Sequence, residues 1–149
     1  MKANLLMSVQ VITVPPELSL ESAHRLMMTN SLRHLPVVSG SKLAGILSDR
    51  DVLLSAGRGS GGALVYPDIT VGEVMSLAPV SAGPNVPVAE LARAMVAGKF
   101  DALPIINDEG ALVGLVTSTD LMRALSMSST PGTTLAYEIR RASDLMAKA

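Results

Sequence analysis

Two short segments of this 149-residue chain place a hydroxyl three positions ahead of an aspartate. They are Ser48 with Asp51 and Thr117 with Asp120, and a glycine, Gly45 or Gly114, stands three residues before each hydroxyl. At the start of a helix such a pair has two uses. The hydroxyl and the carboxylate can cap the helix by accepting its first N–H groups. The carboxylate can instead accept both hydroxyls of a ribose, while Ser48 or Thr117 meets a phosphate at the positive helix end. Residue types and spacing leave both uses open.

Catalytic chemistry is poorly provided for. His24 is expected on the surface of a helix and His34 beside a strand, Cys is absent, and no Gly-x-Ser-x-Gly occurs. No nucleophile and base can be assembled from that set, so an enzyme is not expected. His34 with Asp49 or Asp51 lacks the paired-histidine spacing of a metal site, and no metal is expected. Met27, Met28 and Met95 read as core filler. Residues 57–62, Gly-Arg-Gly-Ser-Gly-Gly, lack the Lys-Ser/Thr that holds phosphate in a Walker loop, and read as a flexible connector.

Composition narrows the partners. Twelve Lys plus Arg against thirteen Asp plus Glu give a net charge of −1, which draws the chain neither to nucleic acid nor to anionic lipid. With two Tyr, one Phe and no Trp there is no platform for stacking single-stranded bases. No apolar run approaches the roughly 20 residues of a membrane span, and the lack of Cys fits a reducing compartment. The expectation is a cytoplasmic protein that binds neither nucleic acid nor membrane.

The paired motifs are carried by an internal repeat. Met7-Ser8 recurs as Met75-Ser76, Arg25 as Arg93, Met27 as Met95 and Leu35-Pro36 as Leu103-Pro104, in each case 68 positions later. One residue is gained in the turn that follows, so Gly45 and Asp51 recur as Gly114 and Asp120, 69 positions later. Each copy reads strand, helix, strand, strand, helix. The first strand is expected at 11–14 or 79–82. The next helix starts after the N-cap Ser19, with Leu20, Ala23 and Met27 on one face, or near Pro87, with Val88, Leu91, Ala92, Met95 and Val96 on one face and Gly98 as its stop. Hairpins pair 35–38 with 43–47 and 103–106 with 112–116, and a second helix begins at Ser48-Asp49 or Thr117-Ser118. A half-chain of about 60 residues is marginal alone, so the copies are expected to share one core about a pseudo-twofold axis. The fold class is α+β: two β-α-β-β-α repeats packed through their sheets, at 6–57 and 74–126. A linker spans 58–73, and an amphipathic C-terminal helix occupies 127–149, with Leu135, Ile139, Ala142, Met146 and Ala149 along one seam.

Leu-Pro-Val-Val, a turn and Gly-Ile-Leu-Ser-Asp-Arg-Asp, repeated as Leu-Pro-Ile-Ile, a turn and Gly-Leu-Val-Thr-Ser-Thr-Asp, resembles the tandem CBS (cystathionine β-synthase) domain pair, or Bateman module, over residues 6–125 or so. The resemblance implies a regulatory, ligand-sensing module that needs no cofactor. Its regulatory ligand is AMP, ADP, ATP, NAD or S-adenosylmethionine, held in clefts between the repeats. It also implies a flat homodimer acting on an effector protein outside this sequence; the alternative is a dimerisation adaptor without ligand. By the same resemblance the cleft residues are Arg33, His34, Leu35, Pro36, Ser48 and Asp51 from the first copy and Asp101, Ala102, Pro104, Thr117, Thr119 and Asp120 from the second. The backbone of Thr13-Val14 and Ser81-Ala82 meets the adenine edge. Arg33 suits a bidentate phosphate contact, whereas Asp101 repels a phosphate unless magnesium intervenes. One good phosphorylated-nucleotide site is therefore expected. The other is expected to be weak, magnesium-dependent or tuned to a cation such as S-adenosylmethionine.

Overall fold

The computed structural model describes residues 1–77 and 80–127. The first repeat contains α1 (Ala3–Leu6), α2 (Leu20–Thr29), β1 (His34–Ser39), β2 (Lys42–Ser48) and α3 (Asp49–Ser55). A two-stranded hairpin follows, β3 (Gly57–Arg58) and β4 (Leu64–Val65). The second repeat contains α4 (Val71–Val74), β5 (Ser76–Leu77), α5 (Val88–Gly98), β6 (Ala102–Ile106), β7 (Leu112–Thr117) and α6 (Ser118–Met127).

Local chemistry accounts for these bounds. Ser19 caps α2 by accepting the Ser22 N–H, and α5 starts behind Pro87, whose missing N–H costs nothing in a first turn. The helix α5 runs to Gly98, but the left-handed cap is Lys99, at φ 56°. In each hairpin the first strand, β1 or β6, is a continuous buried apolar run, the second, β2 or β7, alternates in burial, and the pair carries a register shift at Val37/Val38 or Ile105/Ile106.

The expected first strands shrink to single parallel bridges, Val14 to Val37 and Ala82 to Ile105. The connector expected as flexible instead folds: Gly57 pairs with Val65 and Arg58 with Leu64, around a turn in which Gly61 and Gly62 take positive φ. The C-terminal helix expected at 127–149, like residue 79, falls outside the described residues, apart from Met127 at the end of α6.

The single shared core is replaced by two cores, each completed by a segment exchanged from the other repeat. Val14, Leu20, Met27, Leu35, Val37, Leu47 and Val52 pack with Val71, Val74 and Met75 of the second repeat. Leu91, Met95, Leu103, Ile105 and Val116 pack with Ala3, Leu6 and Met7 of the first. The exchange extends to the sheets: β5 pairs with β2, Ser76 opposite Ile46, and Ser8 bridges Leu115. This explains the motif glycines. A Cβ at Gly45 would stand 2.6 Å from Met75 Sδ and from the Ser76 carbonyl oxygen, and a Cβ at Gly114 would press into Met7. Only glycine lets the exchanged segment cross β2 or β7.

The face of α2 also differs from expectation. His24 is buried, 6% exposed, and its Nδ1 lies 2.6 Å from the Tyr66 hydroxyl beyond the hairpin. It continues the apolar row Leu20, Ala23 and Met27, a spacing that places it inward. Met27 and Met95 are core residues as expected, whereas Met28 is exposed.

Candidate functional site

Two clefts lie between the repeats, and each takes its residues crosswise. The first, about 370 Å³, brings Thr117, Thr119, Asp120 and Arg123 of the second repeat against Arg33 and His34 of the first, with residues 10–12 as one wall. The second, about 300 Å³, brings Ser48, Asp49, Arg50 and Asp51 of the first repeat against Lys99, Phe100, Asp101 and Ala102 of the second. The lining positions correspond by the repeat offset: Ser31 to Lys99, Arg33 to Asp101 and His34 to Ala102, Thr117 to Ser48, Thr119 to Arg50 and Asp120 to Asp51. Arg33 and His34 line both clefts.

Backbone geometry aims these residues. Ser31 and Lys99 are the two non-glycine residues with positive φ among the described residues, 54° and 56°, and each turns the chain from helix into cleft wall. Two residues on, the Arg33 carbonyl accepts the Asp49 N–H at 2.9 Å, and the Asp101 carbonyl accepts the Ser118 N–H at 2.8 Å. Thus the main chain of Arg33 is tied to α3, which bears the motif of the second cleft. The main chain of Asp101 is tied to α6, which bears the motif of the first.

The motif residues cap their helices. Ser48 Oγ accepts the Asp51 N–H at 3.0 Å while Asp51 Oδ2 accepts the Ser48 N–H at 2.9 Å. In the second copy Asp120 Oδ2 accepts both the Thr117 N–H, at 2.8 Å, and the Thr117 hydroxyl, at 3.1 Å. Asp120 is 8% exposed, and its Oδ1 meets Arg123 Nη1 at 3.2 Å. Capping occupies one oxygen of each carboxylate, so the other oxygen carries whatever is offered to a ligand. His34, partly buried, is held below its ordinary pKa of 6.5 by desolvation first. Asp49, Asp101 and Asp51 work against that shift, and the Arg33 charge adds to it.

The other residues singled out from sequence lie elsewhere. Val14 donates its N–H to the Pro36 carbonyl and accepts the Val38 N–H; Ala82 does the same with Pro104 and Ile106. Their N–H groups are thus spent inside the fold, each carbonyl keeps one lone pair for an adenine edge, and residues 10–12 line the first cleft. Thr13 lines a separate groove with Val9, Val38 and Gly114. Ser81 lines neither cleft. Leu35 and Pro36 are buried within β1 and Pro104 within β6. Sequence reading missed Arg50, Lys99 and Arg123. Extending the repeat offset from Arg33 and Thr119 to their neighbours would have found the first two; nothing in the sequence marks Arg123, whose repeat counterpart is Leu54.

Comparison with known proteins matches the CBS domain to residues 3–57 and 71–127. The chain is 39% identical over 111 residues to an inosine-5'-monophosphate dehydrogenase of Korarchaeum cryptofilum, a match covering 74% of this chain and 21% of that protein. It is 35% identical over 116 residues to the CBS domain-containing protein YhcV of Bacillus subtilis, covering 77% of this chain and 79% of that one. The chain thus spans about a fifth of the dehydrogenase and most of the small protein. Among solved structures, the CBS domain pair of protein MJ0100 in complex with 5'-methylthioadenosine and S-adenosyl-L-methionine superposes with a TM-score of 0.72 at 25% identity, over 84% of this chain and 99% of that one. Two matched segments, two exchanged cores and two crosswise clefts have one common source: the chain belongs to the CBS domain family and carries a tandem pair of its domains.

Proposed function

We propose that this chain is a regulatory module that senses an adenosine-containing ligand, AMP, ADP, ATP, NAD or S-adenosylmethionine, in its two clefts. The observation that carries this reading is the crosswise lining. A ligand filling either cleft touches the motif of one repeat and the 33 or 101 position of the other, so occupancy alters how the repeats sit together. The oxygen of Asp51 that capping leaves open accepts ribose hydroxyls, Asp120 Oδ1 does so through the lone pair that Arg123 leaves, and Arg33 pairs with a phosphate. The MJ0100 complex, with two adenosyl compounds on a like fold, supports the ligand class.

The module acts without catalysis of its own, needs no bound cofactor, and passes occupancy to an effector protein through a homodimer in the cytoplasm. Leu53 and Leu54 on α3 and Met122 and Met127 on α6 are exposed apolar positions suited to that contact. Light scattering tests it, and a monomer at tens of micromolar with and without nucleotide rejects it. The first cleft is the phosphate site. The second, with Asp49, Asp51 and Asp101, favours a cationic adenosyl compound or a phosphate accompanied by magnesium. A calorimetric screen against the five ligands tests the whole reading, since binding raises stability as RT ln(1 + [L]/Kd). Binding of at least one supports it. No binding by any selects the adaptor reading, in which the motifs only cap their helices and the apolar positions of α3 and α6 are the functional surface.

A further inference from the structure

We infer that the two clefts compete for one cation, Arg33, and therefore bind anionic ligands anticooperatively. This rests on the adenosyl reading above and adds its regulation. Arg33 lines both clefts, whereas its repeat counterpart Asp101 lines only the second. Its side chain is exposed and forms no ion pair among the described residues, so nothing fixes the guanidinium to one side. Its main chain, in contrast, is anchored to α3 through the Asp49 N–H, which holds the swing of the side chain to the wall between the clefts.

The charges on either side set the direction of the coupling. The first cleft offers Arg123 as its other cation, but Arg123 is already paired with Asp120, so an incoming phosphate there depends on Arg33. The second cleft holds three carboxylates, Asp49, Asp51 and Asp101, against its own Arg50 and Lys99, and Arg33 is the cation that brings it to balance. A phosphate captured in the first cleft withdraws Arg33 and leaves the second with a net negative charge that repels a second phosphate. The asymmetry between the repeats is in this way dynamic: filling one cleft deepens it.

The test is a titration of the full chain with AMP in magnesium-free buffer, each cleft read separately by NMR at the Asp120 and Asp51 amides. In the parent, the Asp51 curve is expected to lag until the Asp120 curve is nearly complete, with second-cleft binding about tenfold weaker once the first is filled, as loss of one charge-assisted contact implies. Arg33→Gln, at an exposed position that leaves both cores untouched, should weaken the first cleft about tenfold and make the second independent of it. Asp120→Ala, which weakens the first cleft and releases Arg123 to any phosphate there, lifts the demand on Arg33, and should tighten the second cleft in the parent and leave it unchanged in the Arg33→Gln background. Should Asp120→Ala fail to fold, the parent against Arg33→Gln decides alone. Two independent curves in the parent, or a lag that survives Arg33→Gln, overturn the shared cation while leaving the adenosyl reading intact. AMP binding in neither cleft overturns the shared cation, and the adenosyl reading falls with it only if ADP, ATP, NAD and S-adenosylmethionine also fail to bind.

Discussion

The two clefts share a backbone plan and differ in where their charges sit. At corresponding positions the first has Ser31, Arg33, His34 and Thr119, and the second has Lys99, Asp101, Ala102 and Arg50. The supporting geometry is nonetheless the same down to the positive φ at 31 and 99 and the carbonyls of 33 and 101, each bonded to the last helix of its own repeat, α3 or α6. The scaffold is symmetric because the exchange of leading segments requires it, while the charges, standing on exposed or half-buried positions, are free to diverge. Selectivity between the clefts is therefore a matter of side-chain charge.

The steepest test of the comparison lies in the scaffold. Gly45 and Gly114 are equivalent, yet their nearest surroundings differ: a Cβ at Gly45 meets the Ser76 carbonyl oxygen as closely as Met75, while the three atoms nearest a Cβ at Gly114 all belong to the Met7 side chain. Backbone cannot step aside as a thioether can. Gly45→Ala should cost about 3 kcal/mol and Gly114→Ala about 1 kcal/mol, measured from urea midpoints. Equal costs would mean that β5 adjusts as readily as Met7 does.

Next come the motif carboxylates. Asp51→Ala should weaken the second cleft and Asp120→Ala the first, each by about 1.5 to 3 kcal/mol of ligand affinity. Each also loses a capping interaction, about 1 kcal/mol of stability. Site-resolved titration separates the two. If Asp51→Ala weakens the first cleft instead, the crosswise assignment is wrong. If neither affects affinity, the carboxylates serve the helices alone.

Much of this fold was legible because the repeat announces itself: Leu-Pro and the Gly-x-x-Ser/Thr-x-x-Asp motifs recur in register, and both hairpins and the four longer repeat helices stand at or within a residue or two of where periodicity puts them. The exchange was not legible. Hydrophobic spacing says that Met7 and Met75 are buried but not in whose core, and contacts between residues about 107 or 30 positions apart, Met7 to Gly114 or Met75 to Gly45, have no local signature. The same gap hid the crosswise pairing of Arg33 with Thr117 and Asp120, since the motif nearest Arg33 in sequence, at Ser48, belongs to the other cleft. His24 was misplaced for a different reason: its polarity outweighed a spacing that already pointed inward. The repeats differ here too, for the counterpart of His24 is Ala92. Tyr66→Phe, which leaves the buried Nδ1 of His24 without its partner, should cost about 1 to 2 kcal/mol. His24→Ala combined with Tyr66→Phe should cost less than the two separate losses together, because the unsatisfied group is then gone.

The smallest effect concerns His34, which has Ala102 as its counterpart and so gives a pH response to one half of the molecule only. Desolvation holds its folded pKa below the ordinary 6.5, in spite of Asp49, Asp101 and Asp51. The unfolded chain then takes up this proton before the folded chain does, so the unfolded state is favoured as pH falls. The contribution of His34 to stability is fully present above about pH 6.5 and is lost progressively below it, through the folded value. Urea midpoints of the parent should accordingly fall more between about pH 7.5 and pH 5.5 than those of His34→Gln, which keeps a polar side chain at the site but has no proton to bind in this range. Identical slopes would mean that the three carboxylates offset the desolvation in full, and a steeper fall in His34→Gln would reverse the sign of the shift. Repeating the comparison in Asp101→Ser removes one of the opposing charges from the second cleft. The folded pKa of His34 should drop further, widening the gap between parent-like and glutamine-substituted proteins and showing that the imidazole senses the cleft it shares with Asp101.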